Sequence, residues 1–310
     1  MSRILVTGGA GFIASHISDA LLERGNEVHV LDDLSGGKLE NVPNAAVFHE
    51  MDIRSEETAE LFESVGFDVL IHCAAQMDVR RSVADPSFDA DVNLRGLLNL
   101  MESGRRNYLK KVVFASTGGA IYGDPDYVPQ DEEHPLRPLS PYGIAKLSSE
   151  HYLEFYHHTY GIDFVSLRFG NVYGPRQNPH GEAGVVAIFT ERLLVGAPAF
   201  INGDGNQTRD YVFVEDVVRA NMLALDHPGS GIFNIGTAIE TDVNELFRII
   251  RDEIDPTCEE RHADAKPGEQ MRSVLSFEKA RAELGWEPEV DVRDGLERTV
   301  HWFREHLSTS

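Results

Sequence analysis

Residues 3–16 read RILVTGGAGFIASH. The apolar run at 3–7 predicts a strand. The glycines after it predict a tight turn, and a helical pattern over 11–24 starts inside that turn. Gly8 stands where the turn needs a residue without Cβ. Gly11 stands where backbone must come close to a pyrophosphate at a helix N-terminus, and Ala14 is the third small residue, letting helix and strand pack closely. Short β-branched runs recur at 28–32, 46–52, 69–75, 112–116 and 164–169, separated by helical patterns. Several are apolar at consecutive positions, which suits strands covered on both faces. The expectation is an α/β fold: a Rossmann-type doubly wound parallel sheet with a smaller mixed α/β substrate domain.

An acidic residue closes the second run: Asp32, followed by Asp33. A carboxylate here can accept both adenosine ribose hydroxyls and repels a 2′-phosphate, so the expected cofactor is NAD and not NADP. Lys38 reads as a solvated loop residue. Asp52 and Ile53, ending the third run, are placed to border the adenine.

The pattern changes after Asn171. Residues 174–184 are rich in Pro, Gly and Asn and predict a long loop. Helices are expected over 185–195 and 291–306, with a turn-rich INGDGNQ at 201–207 between them. Asp242 and Glu245 form a candidate capping box ahead of another helix. The domain expectation is 1–170 with 209–235 for the dinucleotide, and 171–208 with 236–310 for the substrate.

The 310 residues carry 28 Lys+Arg against 51 Asp+Glu, a formal charge of −23. Such a charge repels nucleic acid and anionic lipid, so neither is an expected partner. A chain of this length buries roughly three quarters of its unfolded surface and needs no staples. Cys73 and Cys258 are its two cysteines, which excludes a disulfide scaffold and a four-Cys zinc site. No metal is expected. The opening MSRILVTGG does not read as a signal peptide, and no run approaches a membrane span. The expected location is the cytoplasm.

Ser140-Pro141-Tyr142-Gly143-Ile144-Ala145-Lys146 opens a helix. Tyr142 and Lys146 are four apart and share a face. A tyrosine is a poor base at neutral pH, but a neighbouring ammonium and a cationic nicotinamide favour its phenolate. A lone pair at this spacing is an accident of a helix surface; behind a dinucleotide turn it is a proton shuttle for a sugar hydroxyl.

Together with TGGAGFI and this Tyr-x-x-x-Lys, the stretches FASTGGAIYG (114–123), SLRFGNVYGPRQ (166–177), TRDYVFVEDV (208–217) and KPGEQMRSV (266–274) extend over nearly the whole chain. The sequence resembles the extended short-chain dehydrogenase/reductase family, in its UDP-glucose 4-epimerase branch. The resemblance implies NAD as cofactor, a UDP-hexose as substrate and a homodimer built on the apolar positions of 91–101 and 152–156; core packing within one chain is the competing explanation for those positions. It implies that Tyr142, Lys146 and Thr117 are catalytic. The 4-OH proton leaves through Thr117 to Tyr142, C4 becomes a ketone, and the sugar is reduced again on its other face. Counting from Phe114 selects Thr117; counting back from Tyr122 lands on Gly118, which has no hydroxyl.

Relatives that dehydrate or decarboxylate put an acid in this turn. Here it is Gly118, Gly119 and Ala120, which leaves epimerisation. For the cofactor the resemblance implies Gly8, Gly11, Phe12, Ile13, Asp32, Asp33, Leu34, Gly37, Asp52, Ile53, Ala74, Ala75, Gln76, Asn93 and Ser116 beside Tyr142 and Lys146. For the substrate it implies Thr117, Tyr142, Asn171, Val185, Val186, Arg209 and Arg272, the two arginines pairing with diphosphate oxygens. Met77 departs from a lysine and Ser273 from a bulky tyrosine. The small Ser273 implies room for a 2-N-acetyl group. A UDP-glucuronate epimerase, dehydratase, decarboxylase or reductase of the same fold is the alternative enzyme; a non-enzymatic NAD-binding scaffold would need neither Tyr142 nor Lys146.

Overall fold

The computed structural model describes residues 1–180, 184–265 and 270–307. Residues 181–183 of the expected loop and 266–269 of the KPGEQMRSV stretch lie outside the described residues. In chain order the strands are β1 (Arg3–Thr7), β2 (Glu27–Asp32), β3 (Val47–Glu50), β4 (Val69–His72), β5 (Lys111–Thr117), β6 (Asp163–Phe169), β7 (Asn171–Tyr173), β8 (Ile201–Asn202), β9 (Thr208–Arg209), β10 (Tyr211–Phe213), β11 (Gly231–Ile235), β12 (Thr241–Asp242), β13 (His262–Ala263) and β14 (Arg272–Ser273). The helices are α1 (Phe12–Glu23), α2 (Glu57–Val65), α3 (Val79–Ala84), α4 (Pro86–Ala90), α5 (Gly96–Arg106), α6 (Gly118–Ile121), α7 (Pro141–Tyr160), α8 (Val185–Leu194), α9 (Val214–Asp226), α10 (Val243–Ile254), α11 (Glu278–Leu284) and α12 (Val292–Leu307), with a π-helical turn at Asp91–Arg95.

Two compact units divide the chain: Met1–Ile121, Pro138–Arg168 and Val218–Phe233, and then Tyr122–Arg137, Phe169–Val217 and Asn234–Ser310. Against the expected segments, 122–137 and 209–217 cluster with the second unit.

The first unit is built on a seven-stranded sheet in the order β11-β6-β5-β4-β1-β2-β3. Strands β3, β2, β1, β4 and β5 run parallel. The order reverses between β1 and β4, the switch point at which doubly wound sheets open a crevice at their carboxyl ends. Leu5, Leu31, Leu70, Val112 and Phe114 pack with residues of α2, α5 and α7 such as Phe62, Leu97, Leu100, Met101, Leu153 and Tyr156. Their alternates Ile4, Val6, Val30, Ile71 and Val113 are equally buried. Both faces are therefore covered, which is why these strands read as continuous apolar runs. The third run is shorter than expected, Val47–Glu50. The fourth stops at His72, because Cys73–Ala75 leaves the sheet as a loop.

Core packing accounts for Leu97, Leu100, Met101, Leu153 and Tyr156, while Tyr152 and Phe155 stay exposed. The second unit pairs β7 with β10, β8 with β13, and sets β9 between β12 and β14. Asp242 caps α10 as expected, accepting the Glu245 N–H at 2.7 Å.

One buried ion pair ties α7 to the sheet. Glu150 and Arg168 side chains are 2% and 3% exposed. Glu150 Oε2 accepts Arg168 Nη2 at 2.6 Å, and its Oε1 accepts Arg168 Nε at 3.1 Å, Ser116 Oγ at 2.7 Å and Ser166 Oγ at 2.9 Å. Removing one partner leaves the other charge buried and unmatched. Glu150→Ala is therefore expected to cost about 3–5 kcal/mol, read as a fall in the urea midpoint; an unmoved midpoint would refute the pairing as a structural tie.

Candidate active site

The register gathers the chemistry at one edge. Thr7 pairs with Leu31 and His72, and His72 with Phe114, so β1, β2, β4 and β5 end side by side. Gly8, Asp32, Cys73–Ala75 and Ala115–Thr117 therefore emerge at the same rim.

Gly8 sits there at φ +72°, a left-handed backbone that favours glycine. A Cβ on it would meet the Ala74 nitrogen at 2.7 Å. Its N–H donates to Leu31 O at 2.8 Å, and Gly11 N–H donates to Gly8 O at 2.9 Å. Gly11 caps α1 without any side-chain bond, so the first-turn N–H groups at Phe12 and Ile13 are left for an anion. Ala14 is buried, as close packing of helix on strand requires.

Asp32 is buried. Its Oδ2 accepts Ala10 N–H at 3.0 Å and its Oδ1 accepts Leu34 N–H at 2.8 Å. Burial pushes this carboxyl above its ordinary range, and Asp33 adds to the effect, against the two N–H donors. Each oxygen keeps a lone pair for a ribose hydroxyl. Gly37 closes the turn, since a Cβ there would meet Ala10 Cβ at 2.8 Å. Asp33 caps its own loop, accepting Ser35 N–H at 3.0 Å. This cradle fits a dinucleotide: a Cβ-free turn, uncapped helix N–H groups and a carboxylate at the end of the neighbouring strand.

Other expected cofactor residues carry contacts of their own within the unit. Asp52 is gripped by Arg54, Nε to Oδ1 at 2.9 Å, and Arg54 Nη1 reaches Asp91 Oδ2 at 2.7 Å. Arg54 holds the Asp52 carboxyl below its usual range. Ile53 is buried beneath Gly96, whose added Cβ would meet its Cδ1 at 2.5 Å. The Ser116 hydroxyl belongs to Glu150. Ala74 and Ala75 line the loop after β4, and Ala74 N–H donates to Thr7 Oγ1 at 3.4 Å. Asn93, on the π-helical turn, clamps Gln76 in both directions: its Oδ1 accepts Gln76 N–H and its Nδ2 donates to Gln76 O, each at 2.9 Å.

Helix α7 starts as its sequence dictates. Ser140 Oγ accepts Gly143 N–H at 3.1 Å, and Pro141 fills the first position. A Cβ on Gly143 would meet Ala120 O at 2.3 Å, so this glycine lets the first turn of α7 lie against α6. That contact brings the Gly118–Ala120 turn, and Thr117 before it, beside the turn that carries Tyr142. Thr117 and Tyr142 are half-buried. Lys146 is fully covered: Nζ donates to Ala115 O at 2.8 Å and sits 4.6 Å from the Phe114 ring centroid and 5.8 Å from that of Tyr142. Burial pulls Lys146 down to about 8, while Cys73, Asp89 and Glu150 pull it back up. Ordering helix, strand end and turn in this way gives a hydroxyl, a phenol and an ammonium at one sheet edge, with no carboxylate in the turn.

The remaining expected residues lie on the second unit. Asn171 opens β7, and its N–H donates to Asp210 O at 2.7 Å. Val185 and Val186 begin α8 behind Gly184, which caps without a side-chain bond. Arg209 on β9 and Ser273 on β14 are register partners. Buried Asp210 locks this region, accepting Thr237 N–H at 2.7 Å and Leu275 N–H at 3.0 Å. Arg272 is exposed and bidentate to Glu240, Nε at 2.9 Å and Nη2 at 2.6 Å, so most of its fork is already matched.

Sequence reading passed over Asp89, Glu150 and Arg168. Asp89 stands four residues before Asn93, and Glu150 four after Lys146. That helical spacing was the available signal.

Residues 4–236 match the NAD dependent epimerase/dehydratase family. The chain is 44% identical over 308 residues to the UDP-glucose 4-epimerase of Mycolicibacterium smegmatis, covering 97% of this chain and 98% of that one. It superposes on UDP-glucose 4-epimerase from Thermotoga maritima, solved with UDP-glucose, with TM-score 0.96, 48% identity, and 98% and 99% coverage. The Thermus thermophilus UDP-glucose 4-epimerase, solved with NAD, gives TM-score 0.92, 47% identity, and 97% and 99% coverage. Matched along three quarters of its length by the family and along nearly all of it by these relatives, the chain belongs to the NAD-dependent epimerase/dehydratase family.

Proposed function

We propose that this protein is an NAD-dependent UDP-hexose 4-epimerase that interconverts UDP-glucose and UDP-galactose, and the N-acetyl forms with them, through a 4-keto intermediate. The observation that carries this reading is the buried Lys146 one turn from Tyr142, facing a strand end that offers Thr117 and a turn free of carboxylates. The first unit is the NAD-binding domain and the second the UDP-sugar-binding domain.

Thr117 accepts the 4-OH proton and passes its own to Tyr142. Lys146 holds Tyr142 as phenolate by charge and keeps N–H groups for the nicotinamide ribose. NAD, when bound, supplies the reversible two-electron oxidation of C4. Tyr142 then returns the proton to the new 4-oxygen. The α8 N–H groups at Val185 and Val186, with Asn171, Arg209 and the part of Arg272 not taken by Glu240, hold the nucleotide and diphosphate. No acid stands in the turn to remove a proton from C5, so water is not lost.

We also infer a cytoplasmic homodimer. No helix among the described residues is long and apolar enough to cross a membrane. Tyr152, Phe155 and Tyr160 leave α7 with 39–47% of their surfaces exposed, an apolar face suited to a second copy. Light scattering at the 34.5 kDa monomer mass, or recovery with membranes, would refute this.

Incubation with UDP-galactose should give UDP-glucose without net NADH; loss of water or carbon dioxide instead would overturn the reading. Tyr142→Phe should lower kcat by about 10²–10⁴-fold while bound NAD is retained; a rate equal to the parent's would refute the shuttle. Ser273 is buried, so Ser273→Tyr should cut UDP-N-acetylglucosamine turnover relative to UDP-glucose by roughly tenfold or more. An unchanged ratio would remove Ser273 from the specificity argument.

A further inference from the structure

The cradle sets a direction for the nucleoside. The ribose hydroxyls belong on Asp32, and the diphosphate on the start of α1, which follows β1. Phosphate and base leave a ribose on opposite sides, so the base falls on the side of β2 away from β1. That side is β3, whose Glu50 is in register with Asp32. Met51 N–H donates to Asp32 O at 3.0 Å, and the next residue along the rim is Asp52.

The Asp52 carboxylate is clamped. Its Oδ1 accepts Arg54 N–H at 2.8 Å and Arg54 Nε at 2.9 Å. Its Oδ2 accepts Nε at 3.0 Å and Nη2. Arg54 is fixed in turn. Its Nη1 donates to Asp91 Oδ2 at 2.7 Å on the π-helical turn, and Arg95 Nε meets Asp91 Oδ1 at 2.5 Å. Asn99 on α5 donates to Ile53 O at 2.8 Å and to Ser55 O at 2.9 Å, pinning the backbone on both sides of Arg54. The guanidinium also lies 5.6 Å from the centroid of the Phe88 ring on α4. A fork bonded to two carboxylates leaves Asp52 no free rotation.

A carboxylate has about four acceptor positions, and three N–H groups of Arg54 occupy three of them. The position left over can only accept, and the side chain is 33% exposed, open to a ligand. Adenine carries at its position 6 an amine, which donates. A 6-oxopurine carries a carbonyl there, which cannot.

Going beyond the sugar chemistry, we propose that Arg54 is a positioning residue for the base of the cofactor: by clamping Asp52 it leaves one immovable acceptor beside the base, which takes the 6-amino group of adenine and rejects a 6-oxopurine. A free carboxylate would swing away from a carbonyl and tolerate it; a clamped one stays and repels it.

Calorimetric titration of the full-length chain, freed of bound dinucleotide, gives the ratio of the Kd for nicotinamide hypoxanthine dinucleotide to the Kd for NAD. The wild type should favour NAD roughly tenfold or more. Arg54→Met removes the fork and should bring the ratio to within about threefold of one. A ratio that keeps its wild-type value while only the urea midpoint falls makes Arg54 a purely structural residue and overturns the proposal. A wild type that binds both dinucleotides alike, or neither, overturns it as well. Should Arg54→Met fail to fold, Asp91→Asn decides, because it loosens Arg54 without changing either member of the clamp. It should lower the ratio about threefold; an unchanged ratio overturns the proposal. None of these readings needs turnover, so a chain that prefers NAD in this way yet is inert to every UDP-hexose supports the clamp and ends the epimerase reading alone.

Discussion

Lys146 is an ammonium taken out of water, and most of the architecture around the candidate site follows from keeping it charged. Desolvation costs such a group several kcal/mol. The return comes from the Ala115 carbonyl, from the Phe114 ring face and from carboxylates deeper in the unit. Ala115 and Phe114 are on β5 and Lys146 is on α7, so the charge can be held only while that strand and that helix stay in one arrangement. The same arrangement sets the turn that follows Thr117 against the first turn of α7, which carries Tyr142. Electrostatics and positioning are thus one constraint.

That constraint explains a design that looks extravagant at first sight. Glu150 and Arg168 form a buried ion pair, which seldom stabilises a protein against an apolar replacement of the same shape. Here Glu150 also collects Ser116 and Ser166, so α7, β5 and β6 share one hydrogen-bonded centre a single helical turn below Lys146. The pair fixes the rotation of α7 about its own axis. An apolar core would fill the same space but would leave that rotation to packing alone.

The sequence made the cradle and the proton shuttle legible, because both are local. A strand, a Cβ-free turn and a helix start lie within 3–16, and Tyr142 and Lys146 share one helical turn. The consecutive apolar runs showed that the sheet is covered on both faces. What stayed hidden is what depends on distant residues meeting. Ser116, which the resemblance gives as a cofactor contact, donates its hydroxyl to Glu150, 34 positions away. Arg272 reads as a diphosphate ligand, yet Glu240, 32 positions away, already holds two of its nitrogens. Asp52, expected to border the adenine, is held by Arg54, which links it to Asp91. Polar side chains have no periodicity that announces a partner. Their spacing on a helix, as for Asp89 with Asn93, narrows the choice only after the fold is known.

An epimerase must grip its substrate firmly at one end and loosely at the other, since the ketone has to present its second face before it is reduced. The distribution of charge in this chain suits that demand. Arg209 and Arg272 stand on neighbouring strands of the second unit, and Asp210, next to Arg209, accepts four hydrogen bonds from Thr237, Ala238 and Leu275. The residue in register with Arg209 is Ser273, which is small. In the first unit, the turn after Thr117 is Gly118, Gly119 and Ala120, which carries neither a charge nor a bulky side chain. The absence of a carboxylate in that turn leaves C4 as the carbon at which the proposed chemistry takes place, and the same small residues leave a sugar room.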